Sequence, residues 1–136
     1  MAASTYLSNA LLDHTFGKTT FTAAATLYVA LYTSSPGAGG SANTNEATGT
    51  GYARVALTNN TTNFPNASAG SKSNGTLITF PTPGAGGWGT VTFAALVDTA
   101  SSTGNIYTFG ALTVSKTINQ SDSVTIDIGA LVLSLS

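Results

Sequence analysis

"WGTVTFAALVDTASSTGNIYTFGALTVSKTINQSDSVTIDIGALVLSLS", residues 88–136, decides the fold class. It alternates apolar and hydroxylated residues almost throughout, and its only charges are Asp98, Lys116, Asp122 and Asp127. A period of two sends successive side chains to opposite faces of a strand. The spacing therefore predicts strands near 90–97, 105–112, 123–128 and 130–135, with turns at "DTASSTG", "VSKTINQSD" and Gly129. In the third of these, Val124, Ile126 and Ile128 alternate with Ser123, Thr125 and Asp127, the pattern of a strand buried on one side. Leu131, Leu133 and Leu135 repeat it toward the final residue. Taken in order these strands form a meander. A strand carried to the last residue ties that end into the sheet, so truncation there is expected to be costly.

Working back from Trp88, "PTPGAGG" is a loop, "TLITF" a short strand, and "NTTNFPNASAGSKSNG" (60–75) an irregular stretch. "YARVALTN" reads as a strand from Tyr52. The segment 34–51, "SSPGAGGSANTNEATGTG", has no periodicity and reads as a long flexible loop. Thr26 to Thr33 is strand-like, with Leu27, Val29 and Leu31 on one face and Tyr28, Ala30 and Tyr32 on the other. Both faces are apolar, so this strand is central, or covered by a helix or a neighbouring subunit. Residues 4–16 read as a helix: Ser4 caps it, Leu7, Ala10, Leu11 and His14 recur at helical spacing, and Gly17 stops it. The expected architecture is all-β, an antiparallel β-sandwich or jelly roll with one short N-terminal helix. Residues 1–136 are read as a single domain, with helix and arm at 1–25 and flexible loops at 34–51 and 60–75.

Composition narrows the function. Only 7% of the residues are charged, against roughly 25% in an ordinary soluble domain. Four basic and five acidic residues give a formal net charge of −1. That leaves no basic surface for a phosphate backbone or anionic lipid, so neither nucleic acid nor membrane is an expected partner. So little net charge gives little protection against self-association, which fits a chain that assembles or is covered by partners. There is no cysteine. "MAASTYLSNALLDHTFG" lacks the basic segment and apolar run of a secretory signal, and "FTAAATLYVALY" is too short and too rich in Thr to span a bilayer. Synthesis in a cytoplasm without an export signal is the expectation.

The sequence carries few residues arranged for chemistry. His14 is the single histidine, and the adjacent Asp13 does not face it on a helix, so the two are not a base and its orienting carboxylate. Its helical spacing suits a packed or interfacial residue. Asp13, Glu46, Asp98, Asp122 and Asp127 are scattered over different elements, without the pairing of a glycosidase. No cluster of metal ligands is present, and the glycine-rich segments lack the Lys and Ser/Thr of a phosphate loop. Hence no enzyme activity, cofactor, metal or small-molecule substrate is expected. Trp88, Tyr28, Tyr32, Tyr52 and Tyr107 could stack on a sugar, but aromatics contribute most in cores and subunit contacts. Trp88, directly after a glycine-rich loop, is the candidate ligand contact.

"NALLDHTFGKTTFTAAATLYVALYTSSPG", "GYARVAL", "WGTVTFAALVD", "GNIYTFGALT", "SKTINQSDSVTI" and "GALVLSL" together resemble a group of small tailed-bacteriophage virion proteins, labelled tail-fibre-like or structural. The resemblance covers nearly the whole chain and supplies no catalytic residues. It implies a β-sandwich subunit of a phage particle, located in the virion after synthesis in the bacterial host. Within that class, the expectation is a capsid decoration or cement protein on the head exterior, bound to the major capsid protein and often a homotrimer. A neutral, hydroxyl-rich surface suits such a shell, where hydrogen bonding and shape complementarity hold the subunit and little energy depends on salt. Leu7, Leu11, His14 and Phe16 of the helix, with Tyr28 and Tyr32 of the next strand, form the candidate assembly interface. The alternative is a tail-fibre or spike component that binds host glycan or protein through 34–51, 60–75 and Trp88.

Overall fold

The computed structural model of the protein describes residues 1–135. In chain order its elements are β1 (Ala2–Ala3), α1 (Thr5–Thr15), β2 (Thr26–Tyr32), β3 (Val55–Thr58), β4 (Ser71–Ser73), β5 (Ile78–Thr79), β6 (Gly89–Val97), β7 (Ile106–Ile118), β8 (Thr125–Ile126) and β9 (Val132–Ser134). Every pairing between these strands is antiparallel. The protein is therefore all-β with one short helix. Five strands form the main sheet in the order β1-β7-β6-β2-β3, and β4-β9 and β5-β8 form two small ribbons.

The doubly apolar β2 lies inside this sheet, hydrogen-bonded to β6 on one side and β3 on the other. Both of its faces are covered from within the chain. Leu27, Val29 and Leu31 point into the main core with Val91, Leu96, Ile78, Phe80 and Leu131. Ala30 and Tyr32 point the other way, into a smaller cluster with Ala42, Ala95, Val97 and Ile106. The ribbons thus form a broken second layer over one face, while the segment after β2 folds back over the other.

The meander read from residues 88–136 holds for its first hairpin only. β6 pairs with β7, but β7 continues to Ile118 instead of stopping near 112. Val91 pairs with Lys116 and Phe93 with Ala111, so Leu112, Thr113, Val114 and Ser115 all stand opposite Thr92 and bulge from the sheet. β8 and β9 then leave the main sheet. Ile126 pairs with Ile78 of β5, and Leu133 with Lys72 of β4. Alternation fixes which face of a strand is buried and says nothing of which strand lies beside it. β4 has the sequence Ser-Lys-Ser, with no apolar residue to mark it, and falls in the stretch 60–75 that reads as irregular.

The first residues also form a strand that carries no sequence signal. Ala2 and Ala3 pair with Phe109 and Thr108. The amino group of Met1 donates to the carbonyl of Val132, and the amide of Ser134 donates to the carbonyl of Met1. Thus β1 links the main sheet to β9. Gly110 faces Met1 so closely that a Cβ there would sit 3.1 Å from the Met1 Cα. Of the expected strand at 130–135, β9 keeps Val132 to Ser134, Leu135 follows it exposed, and Ser136 lies outside the described residues.

α1 begins and ends where its signals place it. The Ser4 hydroxyl accepts from the Leu7 amide at 3.1 Å and donates to the Ile106 carbonyl. At the other end, the Phe16 amide donates to the Leu12 carbonyl. Leu7 is the helix residue sunk into the core. Since the buried Ser4 hydroxyl both caps the helix and bonds β7, Ser4→Ala is expected to lower unfolding free energy by about 1–2 kcal/mol. Urea denaturation of the variant against the parent measures this directly.

Candidate assembly surface

The loops and the helix were the sequence-level candidates, and the structure treats them differently. The loop 34–51 is held to the sheet by Arg54, the only arginine in the chain, and Glu46, the only glutamate. Arg54 Nε donates to Glu46 Oε1 and Nη2 to Glu46 Oε2, both at 2.7 Å. The remaining guanidinium donors reach the carbonyls of Thr99, Ala42 and Ser102 and the hydroxyl of Thr99. One buried side chain therefore fastens two loops, 34–51 and 98–104, beside β3. The Tyr52 hydroxyl donates to Glu46 Oε1 at 2.9 Å and accepts from the Leu31 amide, and the Tyr32 hydroxyl donates to the Ala42 carbonyl at 2.6 Å.

These contacts set the local electrostatics. Burial alone pulls the Arg54 pKa down, but the hydrogen bonds and charge of Glu46 outweigh it and hold the guanidinium above its ordinary value. Burial pushes the phenols of Tyr32 and Tyr52 well up, and the negative charge of Glu46 pushes them further. Every guanidinium donor of Arg54 is taken up within the chain. The cluster works as a clasp.

Trp88 is equally enclosed. Its side chain is 2% exposed and Nε1 donates to the Thr50 carbonyl at 3.0 Å. Tyr52 meets it edge-on at a centroid distance of 5.1 Å, and Phe80 meets it at 6.4 Å. A Cβ on Gly49 (φ +145°) would lie 2.3 Å from the Gly87 carbonyl oxygen, so the two glycine-rich loops interlock there. Neither Trp88 nor Tyr32, which is fully buried, offers a ring face to a ligand or neighbour in this conformation. Tyr28 is partly buried against the smaller cluster.

The helix does carry an open apolar surface. Leu7 faces inward, while Leu11, Leu12 and Phe16 line a groove of about 310 Å³ with Ser8, Thr15 and Leu135. Phe16 is 82% exposed and Leu135 64%. Leu135 also lines an apolar cleft of about 380 Å³ where the β4-β9 ribbon stands off the main sheet, walled by Leu7, Leu27, Leu96, Tyr107 and Leu133. His14 lies on the exposed side of α1, and its Nδ1 accepts from the Phe21 amide at 3.2 Å, fixing the turn after the helix. Of the six residues read as an interface, Leu11 and Phe16 meet in this groove and the others lie elsewhere. Leu12 and Leu135 were missed, although Leu12 and Phe16, four apart on a helix, share a face.

A second exposed surface surrounds the β7 bulge. Val114 at its tip is 76% exposed. Leu112, Val114, Lys116, Ile126, Asp127 and Val132 line a trough of about 550 Å³ beside it. Among the described residues there is no group of three or more side chains able to hold a metal ion, and no helix is long and apolar enough to cross a membrane.

Residues 2–134 match the model of the family described as podophage GP4 fiber I protein gp80. The chain belongs to that family. It is accordingly a structural protein of a tailed-phage virion, and the resemblance read from its sequence blocks holds at that level. No curated protein matches it. In this member of the family the loop clasp is enclosed, while Leu12 and Phe16 at the helix are exposed.

The clasp predicts a response to alkali. The folded pKa values of Tyr32 and Tyr52 are raised, so their contribution to stability is complete below the ordinary phenol pKa of about 10 and is lost as pH rises above it. A tyrosinate absorbance titration is expected to show the Tyr32 and Tyr52 phenols ionising only as the protein unfolds. Arg54→Met, which leaves Glu46 enclosed without its partner, is expected to cost about 3–5 kcal/mol in denaturant unfolding.

Proposed function

We propose that the protein is a non-enzymatic fibre subunit of a phage particle that assembles with copies of itself through the apolar faces flanking β9. The observation that carries this reading is the pair of exposed apolar surfaces on a nearly uncharged chain whose family description is that of a fibre protein. Leu12, Phe16 and Leu135 form one surface, and Val114 and Val132 belong to the other. These side chains are already partly buried, so covering one in a contact contributes less than the roughly 1.5–3 kcal/mol of full burial. Two different patches on one subunit suit a head-to-tail contact that closes into a ring, and a homotrimer is the form we propose.

The decoration reading, in which the protein coats the head and binds the major capsid protein, uses the same surfaces against another chain. The fibre description in the family name favours self-assembly instead. Host binding, by glycan or protein, would then fall to surface outside the buried Trp88.

Sedimentation of the purified protein tests the proposal. A closed small oligomer is expected, and Leu12→Ser with Phe16→Ser is expected to shift it to monomer while circular dichroism stays unchanged, because both residues are exposed. A parent protein that remains monomeric at high concentration contradicts it. Antibody labelling of intact particles gives the location: signal at the tail agrees with the fibre reading, and signal spread over the head supports decoration.

A further inference from the structure

Asn74–Gly75 is the only Asn–Gly pair in the sequence. In an open chain this pair is the one most prone to spontaneous deamidation, because glycine has no side chain to hinder attack by its own backbone nitrogen on the preceding carboxamide. The fold nonetheless requires both residues. Asn74 is 1% exposed. Its Nδ2 donates to the carbonyls of Thr76 at 2.8 Å and Asp127 at 3.0 Å, and its Oδ1 accepts from the Leu131 amide at 2.9 Å. Its backbone donates to the Leu131 carbonyl and accepts from the Gly129 amide. Gly75 cannot be exchanged either: a Cβ there would lie 2.3 Å from the Thr62 carbonyl oxygen.

We infer that Asn74 is a latent self-modification site, shut by the fold and opened when the second layer lifts from the main sheet. In the reaction, the Gly75 nitrogen loses its proton to solvent base and bonds to Asn74 Cγ. In the tetrahedral intermediate Nδ2 takes a proton back from solvent, the Cγ–Nδ2 bond breaks and ammonia leaves. Water then opens the succinimide at either carbonyl, giving aspartate or isoaspartate, with no oxidant or reductant involved.

The folded structure blocks each part of this. The Gly75 amide is committed to the Asn63 carbonyl at 2.8 Å. Two carbonyls hold the leaving amide, and burial of Asn74 keeps water from its carboxamide. Once converted, the side chain is a carboxylate with no amide protons, facing the Thr76 and Asp127 carbonyls, which can only accept. A buried charge that keeps one donor, the Leu131 amide, and faces two carbonyl oxygens is unfavourable enough to keep the layer open. Conversion is therefore one-way: each opening that lasts long enough for attack leaves a subunit whose β4-β9 and β5-β8 ribbons no longer close properly. In a particle protein without turnover, this is a record of structural wear.

Peptide mapping by mass spectrometry tests it, with the intact protein incubated at mildly alkaline pH in native buffer and, in parallel, in urea. Asn74 is expected to survive in native buffer and to be the first asparagine converted in urea. After urea is removed, the converted chains are expected to lack amide-exchange protection at 71–80 and 124–134, while unconverted chains regain it. Conversion in native buffer at the urea rate overturns the inference, as does survival of Asn74 in urea. Converted chains that refold with full protection overturn it too, and Asn74→Asp with the parent's stability would do the same.

Discussion

The bidentate contact between Arg54 and Glu46 is the constraint on which the rest of the structure depends. Segments made of Gly, Ser, Asn and Thr have no hydrophobic reason to adopt one path, and ordering them costs conformational entropy at every residue. A planar guanidinium with its donors aimed at one carboxylate and three backbone carbonyls supplies the missing specification. It brings Ala42 onto Tyr32, which closes the second face of β2. A buried ion pair is not a general source of stability, since removing two charges from water is expensive. Here its value lies in direction, because few alternatives in so uncharged a chain could compete for either partner.

A similar economy governs the opposite face of the sheet. The second layer consists of ribbons two or three residues long, too short to be stable alone. Buried apolar residues such as Ile78, Phe80 and Leu131 hold them to the sheet, and Asn74 joins the segments by saturating backbone groups that the ribbons leave unpaired. The hydroxyl-rich exterior follows from this plan. With the sheet, the clasp and the Asn74 junction fixing the path of the chain, the surface carries few charges, and the apolar side chains left outside are concentrated beside α1, β7 and β9.

Much of the fold was legible. The doubly apolar run at β2, the Ser4 cap and the alternation of β6 and β7 each named an element in the right place, because period and capping are local physics. Strand partnership was not local. Val124 to Ile128 reads as a half-buried strand of a meander, yet its partner is β5, some fifty residues earlier in the chain. β1 and β4, Ala-Ala and Ser-Lys-Ser, are strands only because another strand lies beside them. At the candidate surface, Leu11 was found by helical spacing and Phe16 by its place at the end of the helix, while Leu135 required knowing where β9 ends. The sequence did carry one unread signal: its single arginine and single glutamate, eight residues apart on either side of a loop end, were available as mutual partners.

Fibre subunits and head-coat subunits differ most sharply in how many copies each particle carries. The most direct measurement is the copy number of the protein per purified particle, by quantitative mass spectrometry against the major capsid subunit. A fibre subunit predicts a small number of copies per virion, in multiples of the fibre's own oligomer. A ratio near one copy per major capsid subunit would contradict that prediction and make the protein a coat of the head lattice.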